Sequence, residues 1–198
     1  MTGKKAEYRS AVRSRELIQK AYLELVQEKN DTDKITVTDI VKHAGINRST
    51  FYAHYPDVRG VRSAFEEDTI QKMMHILSQF QFRNFFSDPL PVLSQINTYL
   101  REDPERYRIL ISQKGSAEFL DKLSRIFTEY MKTSSDVPDQ MKHSAVFELR
   151  INFFAGGIIR LYRRWFLGEL SCTPEEITEE TARIIQQSSA AILDASGQ

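Results

Sequence analysis

Apolar residues recur along most of the chain at spacings of three and four positions, which is the period of an amphipathic α-helix. In residues 8–29, six of them fall near one face, and similar stripes continue to the C-terminal part of the sequence. No segment shows a convincing alternation of apolar and polar residues of the kind that predicts a half-buried strand. The pattern therefore predicts an all-α fold.

Prolines, glycines and capping residues divide this pattern into separate helices. Residues 83–91 hold two prolines and are predicted to form a loop. Residues 138–167 are predicted to be the longest helical segment. The other predicted helices are 8–29, two short helices within 35–55, 58–80, 92–100, 104–111, 116–131 and a last one that Thr173 caps.

Residues 35–55 predict two short helices joined by a tight turn. Thr36 is a good N-cap residue, and Asp39 three positions later can complete a capping box. Gly45 follows where a helix must end in a left-handed conformation that only glycine adopts cheaply. Asn47 can then cap a second helix, which begins at Arg48. A helix–turn–helix uses this geometry to place the N-terminal end of its second helix in the major groove of DNA.

These residues resemble the DNA-binding domain of the TetR/AcrR family of bacterial repressors. The residues that carry the resemblance are Thr36, Val37, Asp39, Ile40, Ala44, Gly45, Ile46, Thr50, Phe51, Tyr52, His54 and Tyr55. The resemblance implies an N-terminal three-helix helix–turn–helix DNA-binding head, joined by a connecting helix to a C-terminal helical effector and dimerisation domain. The corresponding domains are residues 1–56 and 57–198.

The second helix of the pair presents side chains that suit DNA. Arg48 can donate two hydrogen bonds to a guanine. Tyr52 and His54 are expected to contact phosphates, which fix register without reading sequence. Phe51 and Tyr55 should point into the core. The predicted DNA-binding residues are Thr36, Thr38, Asn47, Arg48, Ser49, Thr50, Tyr52, His54 and Arg59.

One position departs from the family pattern. The family usually has a phosphate-binding lysine at the start of the connecting helix, and that position is Val58 here, followed by Arg59. Either Arg59 supplies the charge from the next position, or the contact is lost and affinity for DNA falls.

Two helices of the C-terminal domain predict an interface. Residues 147–166 are apolar almost all round the helix, which indicates burial on several sides. Gly156 and Gly157 lie in its middle and suggest the close approach of another helix or a bend at a cavity. The resemblance implies that the last two helices form a four-helix dimer bundle; the alternative is that they only close the monomer core. The predicted interface residues are Gly156, Gly157, Ile184, Ser188, Ala191 and Ile192.

Charge and chemistry narrow the function. The formal net charge is zero, but residues 1–62 carry a net charge of +4 and residues 63–198 a net charge of −4, which fits a basic head that faces nucleic acid. The four histidines and the one cysteine, Cys172, form no ligand cluster, and phosphate-loop and nucleophile-elbow motifs are absent. We therefore predict no enzyme, no metal and no cofactor.

The cysteine count and the hydropathy of the chain predict its cellular compartment. A lone cysteine cannot form an intrachain disulfide, which favours a reducing compartment. No apolar run reaches the length of a membrane span, and the N-terminus lacks a signal-peptide core. The sequence predicts a cytoplasmic protein without a membrane partner.

Two modes of regulation stay open. A homodimer requires a roughly palindromic operator in double-stranded DNA. In the first mode, a repressor is released when a small apolar or aromatic effector binds the C-terminal domain. In the second, a TetR-like activator or coactivator-dependent protein docks a protein partner there. A deep cavity favours the first mode, and a filled core with an exposed apolar groove the second. The predicted effector-binding residues are Tyr99, Tyr107, Phe127, Tyr130, Phe154 and Tyr162.

Overall fold

The computed structural model describes residues 2–112, 116–135 and 137–194, and these residues form helices joined by turns, with no strand among them. The predicted all-α fold is confirmed. A 3-10 turn at Thr32–Lys34 precedes α2. The helices are α1 (Thr2–Lys29), α2 (Val37–Ala44), α3 (Arg48–His54), α4 (Val58–Ser78), α5 (Phe82–Ser87), α6 (Leu90–Glu102), α7 (Pro104–Ser112), α8 (Ser116–Thr133), α9 (Asp139–Lys142), α10 (Ala145–Phe166) and α11 (Pro174–Asp194).

The chain divides into two compact units, Met1–Asp68 and Thr69–Gln198. The division falls inside α4, which begins in the first unit and ends in the second. The functional boundary that the sequence suggests between residues 56 and 57 stays a prediction. None of the helices in the described residues combines the length and the apolarity that a membrane span requires.

The first unit is a three-helix arrangement closed by the start of α4. Helix α1 contacts both α2 and α3. Four of the six apolar residues of its predicted stripe are buried, namely Ile18, Ala21, Leu25 and Val26, whereas Val12 and Leu17 nearer the start of the helix are exposed. The ring of Tyr22 stacks on that of Phe65 with 5.9 Å between centroids. The buried apolar side chains of this unit are Ile18, Ala21, Tyr22, Leu25, Val26, Ile35, Ile40, Val41, Phe51, Tyr55, Val61 and Phe65.

Helix α1 begins at Thr2, six residues before the predicted start. The prediction followed the apolar stripe, which starts later in the chain. Lysine, alanine and glutamate at positions 4–7 are good helix formers, so the helix can continue without an apolar face.

The turn between α2 and α3 has the predicted conformation. Gly45 adopts φ 64° and ψ 34°, and its backbone N–H donates to the carbonyl oxygen of Val41. The capping box between Thr36 and Asp39 is present, and the side chain of Asn47 caps α3. Three local predictions from residues 35–55 are therefore confirmed.

The second unit buries a core beneath α5, α6, α8, α10 and α11. Helix α10 packs on α8, and α11 packs on α5 and α6. The most deeply buried members of this core are Phe86, Leu93, Ile151, Ile185 and Val92.

Two predictions for the second unit are wrong. Residues 83–91 are not only a loop, because α5 occupies Phe82–Ser87 and buries Phe85 and Phe86, whose rings meet edge-on at 5.1 Å. The segment 138–167 is not one helix either. Ser144 accepts a hydrogen bond from the backbone N–H of Phe147 and begins α10 anew after the short α9, so that α1 is the longest of the described helices.

The described chain by itself does not bury α10 on several sides. Phe153 is 74% exposed and Leu149 is 70% exposed. A Cβ atom added to Gly156 or Gly157 would meet no atom within 4 Å. The close helix approach that the glycines suggested is therefore not made within this chain.

We predict that Gly45→Ala lowers the free energy of unfolding by about 1–2 kcal/mol, because an alanine in the left-handed region brings its Cβ close to the next carbonyl oxygen. Urea denaturation followed by circular dichroism measures the loss. Gly45→Asn is the matched control and should lose less, since asparagine adopts this conformation more readily. Equal losses for both variants would contradict a backbone origin.

Candidate nucleic-acid interface and cavity

Helix α3 carries most of the predicted DNA-binding side chains and is fixed from below by two aromatic residues. Phe51 is fully buried and Tyr55, which follows the helix, is nearly so. Arg15 Nε and Gln19 Nε2, both on α1, donate to the Tyr55 hydroxyl at 3.3 Å and 3.1 Å. The predicted inward direction of both aromatic side chains is confirmed. The opposite face of α3 is thereby presented to solvent.

The carboxamide oxygen of Asn47 organises the start of this helix. It accepts hydrogen bonds from the backbone N–H of Thr50 at 2.7 Å, from Ser49 Oγ at 2.7 Å and from Thr50 Oγ1 at 2.9 Å. A hydroxyl has one proton to donate. Ser49 and Thr50 therefore present acceptor lone pairs outward, which suits the exocyclic amino groups of adenine and cytosine better than phosphate.

Arg48 is held across the turn. Its Nη2 donates to Thr38 Oγ1 of α2 at 2.6 Å, and both side chains are exposed. One contact of this kind leaves most of the guanidinium donors free. The side chain is thus partly ordered before it meets a ligand, which reduces the entropy lost on binding.

Tyr52 and His54 lie further along α3. Tyr52 is 53% exposed, and its ring packs edge-on against Phe51 at 5.5 Å. The Nε2 atom of His54 lies 2.7 Å from Ser14 Oγ of α1. The histidine ring therefore ties α3 to α1, and phosphate contact through that nitrogen would require the Ser14 bond to break.

The start of α2 is stabilised by a charged network. Asp39 Oδ2 accepts from Thr36 N at 2.8 Å, from Thr36 Oγ1 at 2.7 Å and from Lys29 Nζ at 2.8 Å. The hydrogen bonds from Lys29 and Thr36 lower the pKa of Asp39 from 3.8 to about 2. Thr36 is therefore first of all a structural cap, and its hydroxyl proton is directed inward.

Arg59 stands in the first turn of α4 and is exposed. No acidic side chain of the described residues forms an ion pair with it. A cation near a helix N-terminus opposes the helix dipole. Without an acidic partner among the described residues, the Arg59 charge is available to an external anion.

Sequence reasoning missed the α1 residues that position this face. They are Ser14, Arg15, Gln19 and Lys29, which bond to His54, Tyr55 and Asp39. The Thr38–Arg48 contact was also missed. No sequence signal marks these residues, because polar side chains on an amphipathic helix look alike whether they meet water or a partner.

The second unit contains an apolar cavity of about 120 Å³. Residues from α4, α5, α6, α7, α8 and α10 line it. Phe166, one of them, lies beside Trp165, whose ring is 4.7 Å away and whose Nε1 donates to the Cys172 carbonyl oxygen at 3.1 Å. The lining residues are Thr69, Met73, Met74, Leu77, Phe85, Leu93, Ile96, Leu100, Tyr107, Ile111, Phe119, Leu120, Leu123, Phe127, Ala155, Ile158, Ile159, Tyr162, Arg163 and Phe166.

The structure brings three of the six predicted effector-binding residues to this cavity, namely Tyr107, Phe127 and Tyr162. Tyr99 does not line it and packs edge-on against Tyr107 at 5.3 Å. Phe154 belongs to the core and contacts Phe86, while Tyr130 borders a much smaller crevice.

Burial determines the protonation state of the two tyrosines that line the cavity. It raises the pKa of Tyr107, and the neighbouring Tyr99 hydroxyl adds to this effect. Burial also raises the pKa of Tyr162, against the smaller opposing influence of its hydrogen bond to Thr178. Both hydroxyls are therefore neutral at physiological pH.

The predicted interface residues that the structure describes are all exposed. Gly156 and Gly157 lie on the same side of α10 as Phe153, and Ile184 is 41% exposed on α11, with Ser188 one turn later. The side chains of Ala191 and Ile192 lie outside the described residues. An uncovered apolar face of this kind marks an interaction surface more often than a solvated one.

Comparison with known proteins gives a family for the second unit. Residues 87–187, just over half of the chain, match a TetR-type family described as transcriptional regulator C-terminal region. The chain is also 32% identical over 118 residues to the uncharacterized HTH-type transcriptional regulator YxbF of Bacillus subtilis. That match covers 59% of this chain and only 28% of the relative.

Solved structures share the fold. A TetR-family transcriptional regulator from Syntrophomonas wolfei superposes with a TM-score of 0.70 at 14% identity, covering 90% of this chain and 95% of that one. A TetR transcriptional regulator from Streptococcus agalactiae gives 0.62 at 19% identity, covering 93% and 99%. At such identities the likeness concerns the fold alone.

We predict that Asp39→Asn lowers the free energy of unfolding by roughly 0.5–1 kcal/mol at neutral pH, because the variant loses the charge that Lys29 faces. The native pKa is lowered, so this stabilisation is present above pH 3.8 and is lost as the pH falls through about 2. Urea denaturation at several pH values should therefore show the two proteins converging over this range. A difference that stays constant down to pH 2 would contradict the role of the ionised carboxylate.

Proposed function

Because the chain belongs to the TetR family of transcriptional regulators, we propose that it is a homodimeric, sequence-specific DNA-binding repressor that a small-molecule effector releases from its operator. The observation that carries the proposal is the outward face of α3, where a preordered Arg48, the Asn47-bonded hydroxyls and an exposed Tyr52 stand together above a buried anchor. In this family such chains regulate transcription and are not enzymes.

The hydrogen bonds of the exposed side chains suggest which of them contact bases and which contact phosphates. Arg48 reads a base, because a guanidinium can donate two parallel bonds to guanine O6 and N7. Thr38, Tyr52 and Arg59 contact phosphates and fix the register. His54 joins them when its Nε2 exchanges the bond to Ser14 Oγ for a phosphate oxygen. Arg59 supplies the charge that the family's lysine gives at the position of Val58, a role supported by the finding that no acidic side chain of the described residues pairs with it.

The exposed face of α10 supports a homodimer. Leu149 and Phe153 are large and apolar, and the neighbouring Gly156 and Gly157 offer a flat surface for a second helix. A two-fold interface uses the same patch on both copies. The glycines, which cost about 1 kcal/mol each relative to alanine within a helix, are then offset by a close approach between protomers.

The cavity supports regulation by a small molecule over regulation by a docked protein. It is apolar, lies within one unit and receives lining residues from the C-terminal half of α4 as well as from α10. A ligand regulates only if it binds one state of the dimer more tightly than the other. We infer that the effector favours a state that binds the operator weakly. The protein acts in the cytoplasm, where its DNA is.

A salt-dependent titration of the purified protein against the DNA that flanks its own gene tests the proposal, with scrambled DNA as the control. We expect tight binding to a palindromic stretch with two protomers per site, and an affinity that falls as salt rises because phosphate counterions are released. Binding no tighter than to scrambled DNA, at every salt concentration, would argue against a role for this operator.

We predict that Arg48→Ala relaxes discrimination at one base pair of each half-site by roughly 1–3 kcal/mol, whereas Tyr52→Phe weakens binding to all operator variants alike. Affinities for a set of single-base operator variants measure both effects. Losses for Arg48→Ala that are equal on every variant would show that Arg48 contacts only the backbone.

We predict that Phe153→Asp produces a monomer, because two carboxylates would face each other across the two-fold axis in place of two apolar rings. Sedimentation velocity without DNA measures the assembly. Tyr8→Asp is the matched control, since Tyr8 is equally exposed but lies on α1. A dimer that persists in Phe153→Asp would place the interface elsewhere.

A further inference from the structure

The early turns of α1 do not pack against the rest of the first unit. Each of residues 8–13 is exposed, on every side of the helix, and Tyr8 is 72% exposed. Burial begins only at Ser14, which is half-buried against His54. A helical segment without a buried face gains no free energy from packing. The core of this chain therefore does not explain why residues 8–13 have the composition they have.

The net positive charge of residues 1–62 is concentrated in the same part of the chain. Residues 1–15 hold five lysines and arginines and one acid, a net charge of +4, whereas residues 16–62 hold seven of each and are neutral. A basic surplus is the electrostatic mark of a surface that meets nucleic acid. That surplus belongs to the start of α1 and not to the helix–turn–helix pair.

Two arginines of this segment pair with no other described residue. Arg9 and Arg13 are both exposed, and neither forms an ion pair or a hydrogen bond within the described chain. The ion pairs of α1 begin only at Lys20, whose Nζ lies 3.8 Å from Glu24 Oε1. Acidic residues would stabilise the start of a helix, yet the first turn of α1 has none. The charges of this segment are therefore not arranged to stabilise α1 itself.

The position of the two arginines sets them apart from ordinary solvated surface residues. Because they are four residues apart, Arg9 and Arg13 lie on one side of α1, about 6 Å apart along its axis. Next in the chain is Ser14, whose Oγ lies 2.7 Å from Nε2 of His54 at the end of α3. Measured along α1, both arginines are thus within about 8 Å of the contact with the helix that carries the proposed base-reading side chains.

We propose that Arg9 and Arg13 form a further DNA contact, outside the helix–turn–helix pair, which binds phosphates next to those that α3 reaches. A guanidinium matches a phosphate through two parallel hydrogen bonds. Successive phosphates of one strand are about 3.4 Å apart along the duplex axis, so the spacing of the arginines allows each to meet its own phosphate. The inference rests on the proposed binding of DNA, and it depends neither on the operator sequence nor on an effector.

The test measures affinity over a series of salt concentrations for the wild type and for Arg9→Gln/Arg13→Gln. The two probes are the DNA that flanks the gene and a scrambled duplex of the same length. Each lost phosphate contact lowers the slope of log affinity against log salt by about 0.9, so a dimer that loses both arginines from each protomer should lose roughly 3 to 4. Raising the salt from about 50 to about 200 mM should then weaken the variant about 100-fold less than the wild type.

Lys20→Gln is the matched control, because it removes a positive charge from the exposed surface of the same helix beyond the contact with α3. It should leave the slope unchanged, whereas Arg9→Gln alone should lower it by half as much as the double variant. Discrimination between single-base operator variants should stay as in the wild type, since phosphates carry no sequence information. Circular dichroism should show all the variants equally folded, because no buried side chain is changed.

Two results would overturn the inference. The first is a wild-type slope for Arg9→Gln/Arg13→Gln on both duplexes; if the two arginines are instead needed for binding to phosphatidylglycerol vesicles, the surface they form meets a membrane. The second is a slope that Lys20→Gln lowers as much as Arg9→Gln does, which would show a general effect of net charge.

The same titrations separate this inference from the proposed function. A slope that depends on Arg9 and Arg13, in a protein that binds its operator no tighter than scrambled DNA, would contradict sequence-specific regulation alone. Tight operator binding with a slope that is independent of both arginines would contradict the phosphate contact alone. A protein that binds neither duplex would contradict both.

Discussion

The packing of two very short helices on α1 is the constraint on which the DNA-facing surface depends. Helices of eight and seven residues are not stable alone in water, because a helix must first form a costly nucleus. Ile40 and Phe51 are fully buried and supply the missing free energy. Every exposed side chain of α3 is therefore positioned by an apolar contact on the opposite side of the same helix.

Local rules predicted the backbone of this region well. A cap, a left-handed glycine and a second cap act over three or four residues, so Thr36, Gly45 and Asn47 could be assigned from the sequence and were found as expected. The contacts of Ser14 with His54 and of Thr38 with Arg48 span 40 and 10 residues. They depend on how helices pack, which apolar periodicity does not specify for individual polar side chains.

In the second unit, prediction from the sequence fails for a different reason. Core residues and cavity-lining residues share one apolar pattern, and the distinction between them depends on a gap of a few ångströms. Tyr99 and Tyr107 are both inward-facing, yet only Tyr107 reaches the cavity. In the same way, the apolar pattern of α10 predicted burial on several sides, but no helix of the described chain covers Phe153. Sequence periodicity shows that one face of a helix is apolar. It does not show whether a neighbouring helix, a cavity or another protein lies against that face.

The only tryptophan of the chain has a consequence for how the second unit can be observed. Trp165 is in ring contact with Phe166, and Phe166 lines the cavity. Indole emission depends on the polarity and motion of its immediate surroundings. The protein therefore has an intrinsic optical probe next to Phe166 in the chain, and we expect its emission to change when the cavity is filled, without a label and without DNA.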